Sequence, residues 1–322
     1  MKQNRSMKRH IMVTLILLMM FTISGCKLIE DTGEKISQFD ADMDKSVNFE
    51  QNLSDFKALE LHVNLSVSEL NIKVSNDDVL SYTQKANREE LLAKQTVDEI
   101  GDTIKITYEN DDKVKILSGS QKSEATITIP KDTKLTIVSN IDVGDINIDL
   151  DGLESVELDI STNVGEIDVK TDDAQPSLTY IKTQSDVGEV NMVFGGDTEQ
   201  LETVLMSANT GKVSLTLKGE VKSALEIDAK ADVGDVVVSL SGSHKEEVNL
   251  KARADVGDVT IQVPKDHEVK VDASTSEFTS NFEIEDMAFT KSKNLYEIKG
   301  DLSLISIDLN ISVGDARLKY SK

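Results

Sequence analysis

The stretch ADVGDVVVSL, residues 231–240, returns almost unchanged as ADVGDVTIQV at residues 254–263, with Gly234 and Gly257 in register 23 residues apart. The same signature (Asp or Asn, Val or Thr, Gly, then usually an acid) recurs at Gly144, Gly165, Gly188 and Gly211. From Gly144 to Gly257 the spacings are 21, 23, 23, 23 and 23 residues, and a further copy, SVGDARLKY, is centred on Gly314. Seven residues before each glycine stand Ile137, Leu158, Ile181, Val204, Ile227, Leu250 and Ile307; two after it stand Ile146, Ile167, Val190, Val213, Val236, Val259 and Ala316. Positions one, three and five before the glycine are apolar or small, so Val233, Ala231 and Ala229 are all expected to face inward. Alternation with period two is a strand pattern. The inward set changes from odd to even offsets across the glycine, so the strand must bend or bulge there, which glycine permits.

Two degenerate copies complete the series. LELHVNLSVSELNIKV around Ser68 places Leu61, Val63, Leu65, Val67, Leu70, Ile72 and Val74 inward, and Val269, Val271, Ala273 and Phe278 do the same around Ser276. A unit of 21–23 residues cannot bury its apolar face alone, but units stacked with strands about 4.8 Å apart share one core. The expected fold is therefore all-β, an elongated parallel β-solenoid of about nine rungs over 56–322. An insertion falls at 75–125 and another at 283–300. The alternative is an antiparallel β-sandwich with hairpins at the Asp-Gly turns, which does not by itself require a constant 23-residue spacing. The exposed ends of such a stack need caps. Phe278, Phe282, Phe289 and Tyr296, or the 75–125 insertion, are the candidates.

The first 26 residues read as a targeting segment. Lys2, Arg5, Lys8 and Arg9 precede an apolar run at 11–22, followed by Ile23-Ser24-Gly25-Cys26. This resembles the lipobox of bacterial lipoproteins, which implies diacylglycerol on the Cys26 sulfur and cleavage before it. Acyl chains at about 0.8 kcal/mol per buried methylene would then hold the mature chain on the extracytoplasmic face of the cell membrane. Cys26 is the sole cysteine, so no intramolecular disulfide forms. Residues 27–55 are polar and acidic and read as a tether.

Of 35 Lys and Arg, four lie in the leader, which leaves 31 against 58 Asp and Glu and a net charge of −27 for the mature chain. Such a surface repels nucleic acid and attracts cations and basic peptides. Aromatics make up only 4% of residues, with no Trp, which suits short aliphatic strands.

The repeated DVGD and NVGE turns, the ATITIPKD stretch at 125–132 and the anchored N-terminus resemble the bacterial putative-adhesin family, a domain-of-unknown-function family. The resemblance covers roughly 56–322. It implies a β-solenoid borne by surface and membrane-anchored proteins, especially of Gram-positive bacteria, some beside envelope-stress systems. It assigns no catalytic or binding residues, and this chain departs from its plainest pattern at 75–125 and at Ser68 and Ser276, where glycine is missing.

Chemistry concentrates at the glycine turns. Asp145, Glu166, Glu189, Lys212, Asp235, Asp258 and Asp315 follow the glycines, and Asp142, Asn163, Asp186, Asn209, Asp232, Asp255 and Ser312 stand two before them. Stacked in register, like charges about 5 Å apart would raise one another's pKa or recruit a cation. Calcium takes carboxylate and carbonyl oxygens, with Asp232, Asp235, Asp255 and Asp258 as candidate ligands. Against this, Lys212, Asn163 and Asn209 already dilute the repulsion, and the GGxGxD calcium repeat is absent. The expectation is a solvated ladder, no metal, and no cofactor beyond lipid on Cys26. His62, His244 and His267 are scattered, and no G-x-S-x-G, H-E-x-x-H, P-loop or G-x-G-x-x-G is present. The chain thus reads as a non-enzymatic, lipid-anchored interaction or adhesin-like module of the envelope. Its expected partners are the membrane through the anchor, and envelope proteins, wall polymers or cationic peptides. The alternative is a regulatory or structural part of an envelope-stress response. A polysaccharide-acting β-helix enzyme ranks last, because the turns are short and arginine is rare.

Overall fold

The computed structural model describes residues 42–110, 121–275, 280–285 and 287–321, and from Met43 onward these belong to one compact unit. Cys26 and the leader lie outside the described residues, as do Ser276 and Phe278. The fold is all-β: among the described residues there are 24 strands in a mostly parallel, solenoid-like arrangement, with one short 3-10 turn at Glu89–Leu91.

Each repeat contributes a longer strand before the glycine and a shorter one after it. In chain order these pairs are β8 (134–143) with β9 (146–149), β10 (154–164) with β11 (167–171), and β12 (180–187) with β13 (190–194). They continue as β14 (203–210) with β15 (213–217), β16 (225–233) with β17 (236–240), and β18 (248–256) with β19 (259–263). The longer strands pair only with longer ones and the shorter with shorter, all parallel, along two ribbons. Registers follow the repeat: Ile181 lies beside Val204, Val204 beside Ile227, and Ile227 beside Leu250. Among the described residues, antiparallel pairing is confined to the two ends.

The core lies between the ribbons. It is lined by positions seven, five and three before each glycine and two and four after it. Each fully buried Val, Leu or Ile there contributes about 1.5–3 kcal/mol. Among the hydroxyls that enter the core, Thr162 Oγ1 donates to Gly144 O at 3.2 Å and Ser185 Oγ to Gly165 O at 3.0 Å. The position one before the glycine does not join the core. Val164, Val187 and Val233 are 47%, 51% and 49% exposed, against the inward placement expected from their apolar character. The physical reason is the bend. Inward positions step from three before to two after, so four consecutive residues turn across the outside of the corner.

Chain order breaks at both ends of the stack. β2 (58–67) and β3 (69–75) pair on one side with β8 and β9. On the other side they pair, again in parallel, with β6 (103–109) and β7 (123–130). Part of the expected 75–125 insertion, β6 and the start of β7, is therefore a further tier of the same core, with Ile104, Ile106 and Ala125 buried. Within it, β5 (94–100) and β6 form an antiparallel hairpin that turns at Gly101. β4 (79–86) runs antiparallel to β7, and β1 (45–52) covers β4. Residues 45–52, expected to be tether, are thus an end strand. Phe49 leans on Tyr82 and Tyr108, whose rings stack at 4.1 Å. At the other end β24 (302–320) lies between β18/β19 on one side and β20 (267–275) and β21 (280–284) on the other. The antiparallel hairpin of β22 (290–292) and β23 (295–298) closes β20, and Tyr296 packs edge-on to Phe282 at 4.8 Å. Both kinds of expected cap are therefore in use.

Candidate functional site

The glycine corner is the most repeated surface of the molecule, and its chemistry follows from its backbone. Gly144, Gly165, Gly188, Gly211, Gly234, Gly257 and Gly314 adopt φ between +136° and +150°. L side chains rarely adopt that conformation. A Cβ at Gly211 or Gly234 would sit 1.8 Å from the carbonyl oxygen of the preceding tier's glycine. Glycine is required twice over, for the torsion and for the approach of one tier to the next. From Gly144 to Gly257 the amide of the corner glycine donates to the next tier's preceding residue, as in Gly188 N to Thr210 O at 2.9 Å and Gly234 N to Val256 O at 2.8 Å.

The acid after the glycine has a structural task. Glu166 N donates to Asp145 Oδ1 at 2.8 Å, Asp258 N to Asp235 Oδ1 at 2.9 Å, and Asp315 N to Asp258 Oδ1 at 2.9 Å. An aspartate at this position thus accepts the corner amide of the neighbouring tier, which gives that N–H a partner outside the strand ladder. In the other column each acid also has a donor. Asn163 Nδ2 donates to Asp142 Oδ1 at 3.1 Å and Asn209 Nδ2 to Asp186 Oδ1 at 2.9 Å. Lys230 Nζ lies 2.7 Å from Asp232 and Arg253 Nε 2.9 Å from Asp255. The four residues singled out as candidate calcium ligands, Asp232, Asp235, Asp255 and Asp258, thus lie in two columns with partners of their own. Among the described residues no three His, Cys, Asp or Glu side chains gather closely enough to hold a metal ion.

Between these two columns runs a third, the residue immediately before each glycine. Strand register stacks Val67, Val143, Val164, Val187, Thr210, Val233, Val256 and Val313 one above another. The corner is therefore a ridge of solvent-facing methyl groups with carboxylates along both flanks. From Gly144 to Gly314 the flanks carry Asp142, Asp186, Asp232 and Asp255 on one side. On the other they carry Asp145, Glu166, Glu189, Asp235, Asp258 and Asp315, interrupted by Lys212. Reading the valines as core concealed this ridge. The signal that would have found it is the run of four residues between inward positions.

A second ladder escaped the sequence reading although it carries the same period. Gly196, Gly219 and Gly242 stand 23 residues apart, and a Cβ at Gly219 or Gly242 would meet the carbonyl of the glycine below at 2.0 or 1.8 Å. Gln175 was also missed. It is fully buried, and its side chain accepts from Ser155 N at 3.0 Å and donates to Leu153 O at 3.2 Å. The histidines do not meet as a set. His62 is half-buried on β2 beside Glu60, whereas His244 and His267 are buried together near β24.

Comparison with known proteins bears on the scaffold. The family model described as Toastrack DUF4097 matches residues 58–319. Among solved structures, the chain is similar to a putative cell adhesion protein from Clostridium sporogenes, at 13% identity and a TM-score of 0.39, over 86% of this chain and 99% of that one. It is also similar to a putative adhesin from Bacteroides fragilis, at 14% identity and a TM-score of 0.42, over 85% of this chain and 97% of that one. A putative lipid binding protein from Parabacteroides distasonis aligns at 11% identity and a TM-score of 0.24, over 87% of this chain and 98% of that one. No curated protein matches.

Proposed function

Because the chain belongs to the Toastrack DUF4097 family, we propose that it is a non-enzymatic binding module of the bacterial surface, lipid-anchored through Cys26, whose glycine corner receives a cationic amphipathic segment. Its scaffold is a parallel β-solenoid whose tiers are the 21–23-residue repeats; the parallel registers support this. The observation that carries the binding reading is the exposed valine column between two carboxylate columns. Apolar side chains of a partner would cover the valines while its Lys and Arg reach carboxylates on either side. A helix rises about 5.4 Å per turn and the column about 4.8 Å per tier, so the two keep step to within about 2 Å over three tiers. The carboxylates are exposed, so their contribution is screened by salt and the valines must supply the rest. An extracytoplasmic location gives such a surface access to envelope proteins and to cationic peptides.

The test is titration of the full-length protein in neutral detergent with a labelled Leu/Lys amphipathic helix and an equally charged Gly/Lys peptide. The expected result is tighter binding of the amphipathic helix, weakened about tenfold by Val164→Ser, Val187→Ser and Val233→Ser together and reduced further by salt. Equal binding of both peptides, or no effect of the triple variant, refutes the valine ridge as the site.

A further inference from the structure

A buried pair of histidines sits where the chain's own order is interrupted. Gln175, Thr198, Val221 and His244 form a column joined by isolated parallel bridges. Along it each backbone N–H donates to a carbonyl one tier further on: Gln175 N to Asp197 O at 2.8 Å, Thr198 N to Glu220 O at 2.9 Å, and Val221 N to Ser243 O at 2.9 Å. At His244 the series has no such carbonyl, because the next tier is β24, which arrives from β23 rather than through the same turn. The His244 N–H donates instead to Nε2 of His267, the first residue of β20, at 3.1 Å. The imidazole of His267 thus stands in for a missing backbone carbonyl and bridges the tiers on either side of β24. Ser303, at the start of β24, donates its hydroxyl to His244 O, which ties the inserted strand to the same point.

We propose that His244 and His267 form an acid-sensitive latch on the C-terminal tiers: neutral, the pair holds β24 between β18 and β20, and protonated, it lets that segment open. The geometry requires neutrality. The side chains' residues are 2% and 1% exposed, and their rings meet edge to face at 5.6 Å. His267 accepts at Nε2, so its proton is on Nδ1. Protonation turns Nε2 into a donor facing the His244 N–H. The acceptor then within reach is His244 O at 3.3 Å, which also accepts from Ser303, and the His244 N–H is left without an acceptor. Both nitrogens of the His244 ring and Nδ1 of His267 lack hydrogen-bond partners, so a charge on His244 would be buried without a hydrogen bond and one on His267 would give up the His244 N–H for His244 O alone.

The surrounding charges do not change this. On the His244 turn, Lys245, Glu246 and Glu247 are exposed, with Lys245 paired to Glu220 at 2.7 Å. Beside His267, Lys265 and Asp266 are exposed and Glu268 pairs with Lys270 at 3.1 Å; ahead of β24, Lys299 and Asp301 face solvent. Burial, and then the neighbouring His267, pushes the His244 ring down from 6.5 to about 4. Burial also lowers His267, although its bond to His244 and the charge of Asp266 pull the other way. The sign follows. Above about pH 6.5 the open and closed forms are both neutral and opening is independent of pH. Below it the open form takes up protons that the closed form resists, so opening grows by up to tenfold per pH step for each ring until the closed form titrates.

The test is hydrogen exchange by mass spectrometry on the full-length protein at pH 7 and pH 5, corrected for the intrinsic pH dependence of exchange. Protection of peptides from 264–275 and 302–320 is expected to fall at least about tenfold while 180–217 is unchanged. The double variant His244→Val, His267→Gln borrows residue types the same column uses at Val221 and Gln175, and should abolish the fall. A flat wild-type response, or an identical fall in the variant, overturns the latch. Should the variant fail to fold, the imidazole resonances of the wild-type protein decide. Titration of both rings well below the ordinary value of about 6.5 supports the latch, and a normal value for either ring overturns it.

Discussion

Replacing Gly234 by alanine should be among the most damaging single changes in the molecule, although it adds only one methyl group. Gly234 lies at φ +145°, and the new Cβ would stand 1.8 Å from Gly211 O. A carbon ordinarily comes no closer to a carbonyl oxygen than about 3.3 Å, so roughly 1.5 Å must be found between tiers that are only about 4.8 Å apart. The two bonds that join these tiers at the corner, Gly211 N to Val233 O at 2.9 Å and Val213 N to Asp235 O at 2.9 Å, cannot survive that movement. Each is worth about 1 kcal/mol net, and an unfavourable torsion costs about 1–3 kcal/mol. The expected loss is therefore about 3–5 kcal/mol, a large part of the 5–15 kcal/mol by which folded proteins typically exceed their unfolded states. The control is Gly101→Ala in the β5–β6 turn, where φ is +62° and no atom lies within 4 Å of the added carbon; its torsion alone should cost about 1–2 kcal/mol. Urea unfolding followed by far-ultraviolet circular dichroism measures both. If Gly234→Ala loses no more than Gly101→Ala, the close stacking of corner glycines is not what holds the tiers together.

Three further outcomes test other parts of the structure. Val187→Lys should leave the unfolding free energy measured in urea within about 0.5 kcal/mol of wild type, since the side chain faces solvent; a loss of several kcal/mol would return this valine to the core. Thermal unfolding in calcium and in chelator should coincide, because Asp235 and Asp258 already accept backbone amides and Asp232 and Asp255 pair with Lys230 and Arg253. A calcium-specific rise in Tm that is lost in Asp232→Asn, Asp255→Asn would refute that assignment. Deleting 75–125 should produce aggregates on size-exclusion chromatography, since it removes β4–β6, cuts into β7 and bares the edges of β2 and β3; a soluble, cooperatively melting monomer would show that this tier is dispensable.

The middle of the molecule was legible in the sequence because every contact there repeats at one interval. A residue 23 positions away is the neighbour in the next tier, so a column such as Val204, Ile227 and Leu250 can be read directly from the period. The corner glycines were legible for the same reason. The valines before them were not, since an apolar residue at a bend satisfies an alternation rule whichever way it points. Only the backbone path shows that the inward positions skip from three before to two after.

The ends were set by tertiary structure alone. Nothing local in β24 distinguishes following β20 in the stack from lying between β18 and β20, and nothing in 103–130 says that it stacks on β2 and β3 from the side opposite β8. Those choices depend on which edges remain unpaired once the regular tiers have formed. The pairing of His244 with His267 is one result, since a histidine met in the sequence shows neither its burial nor the missing carbonyl whose place it takes. The sequence by itself determined the period, the strand alternation and the need for glycine, all of which are local or repeat at fixed intervals. The three-dimensional fold decided the order of the end tiers, the exposure of the valine ridge and the histidine latch, because each is a competition among partners distant in the chain for the same edge, the same corner or the same hydrogen bond.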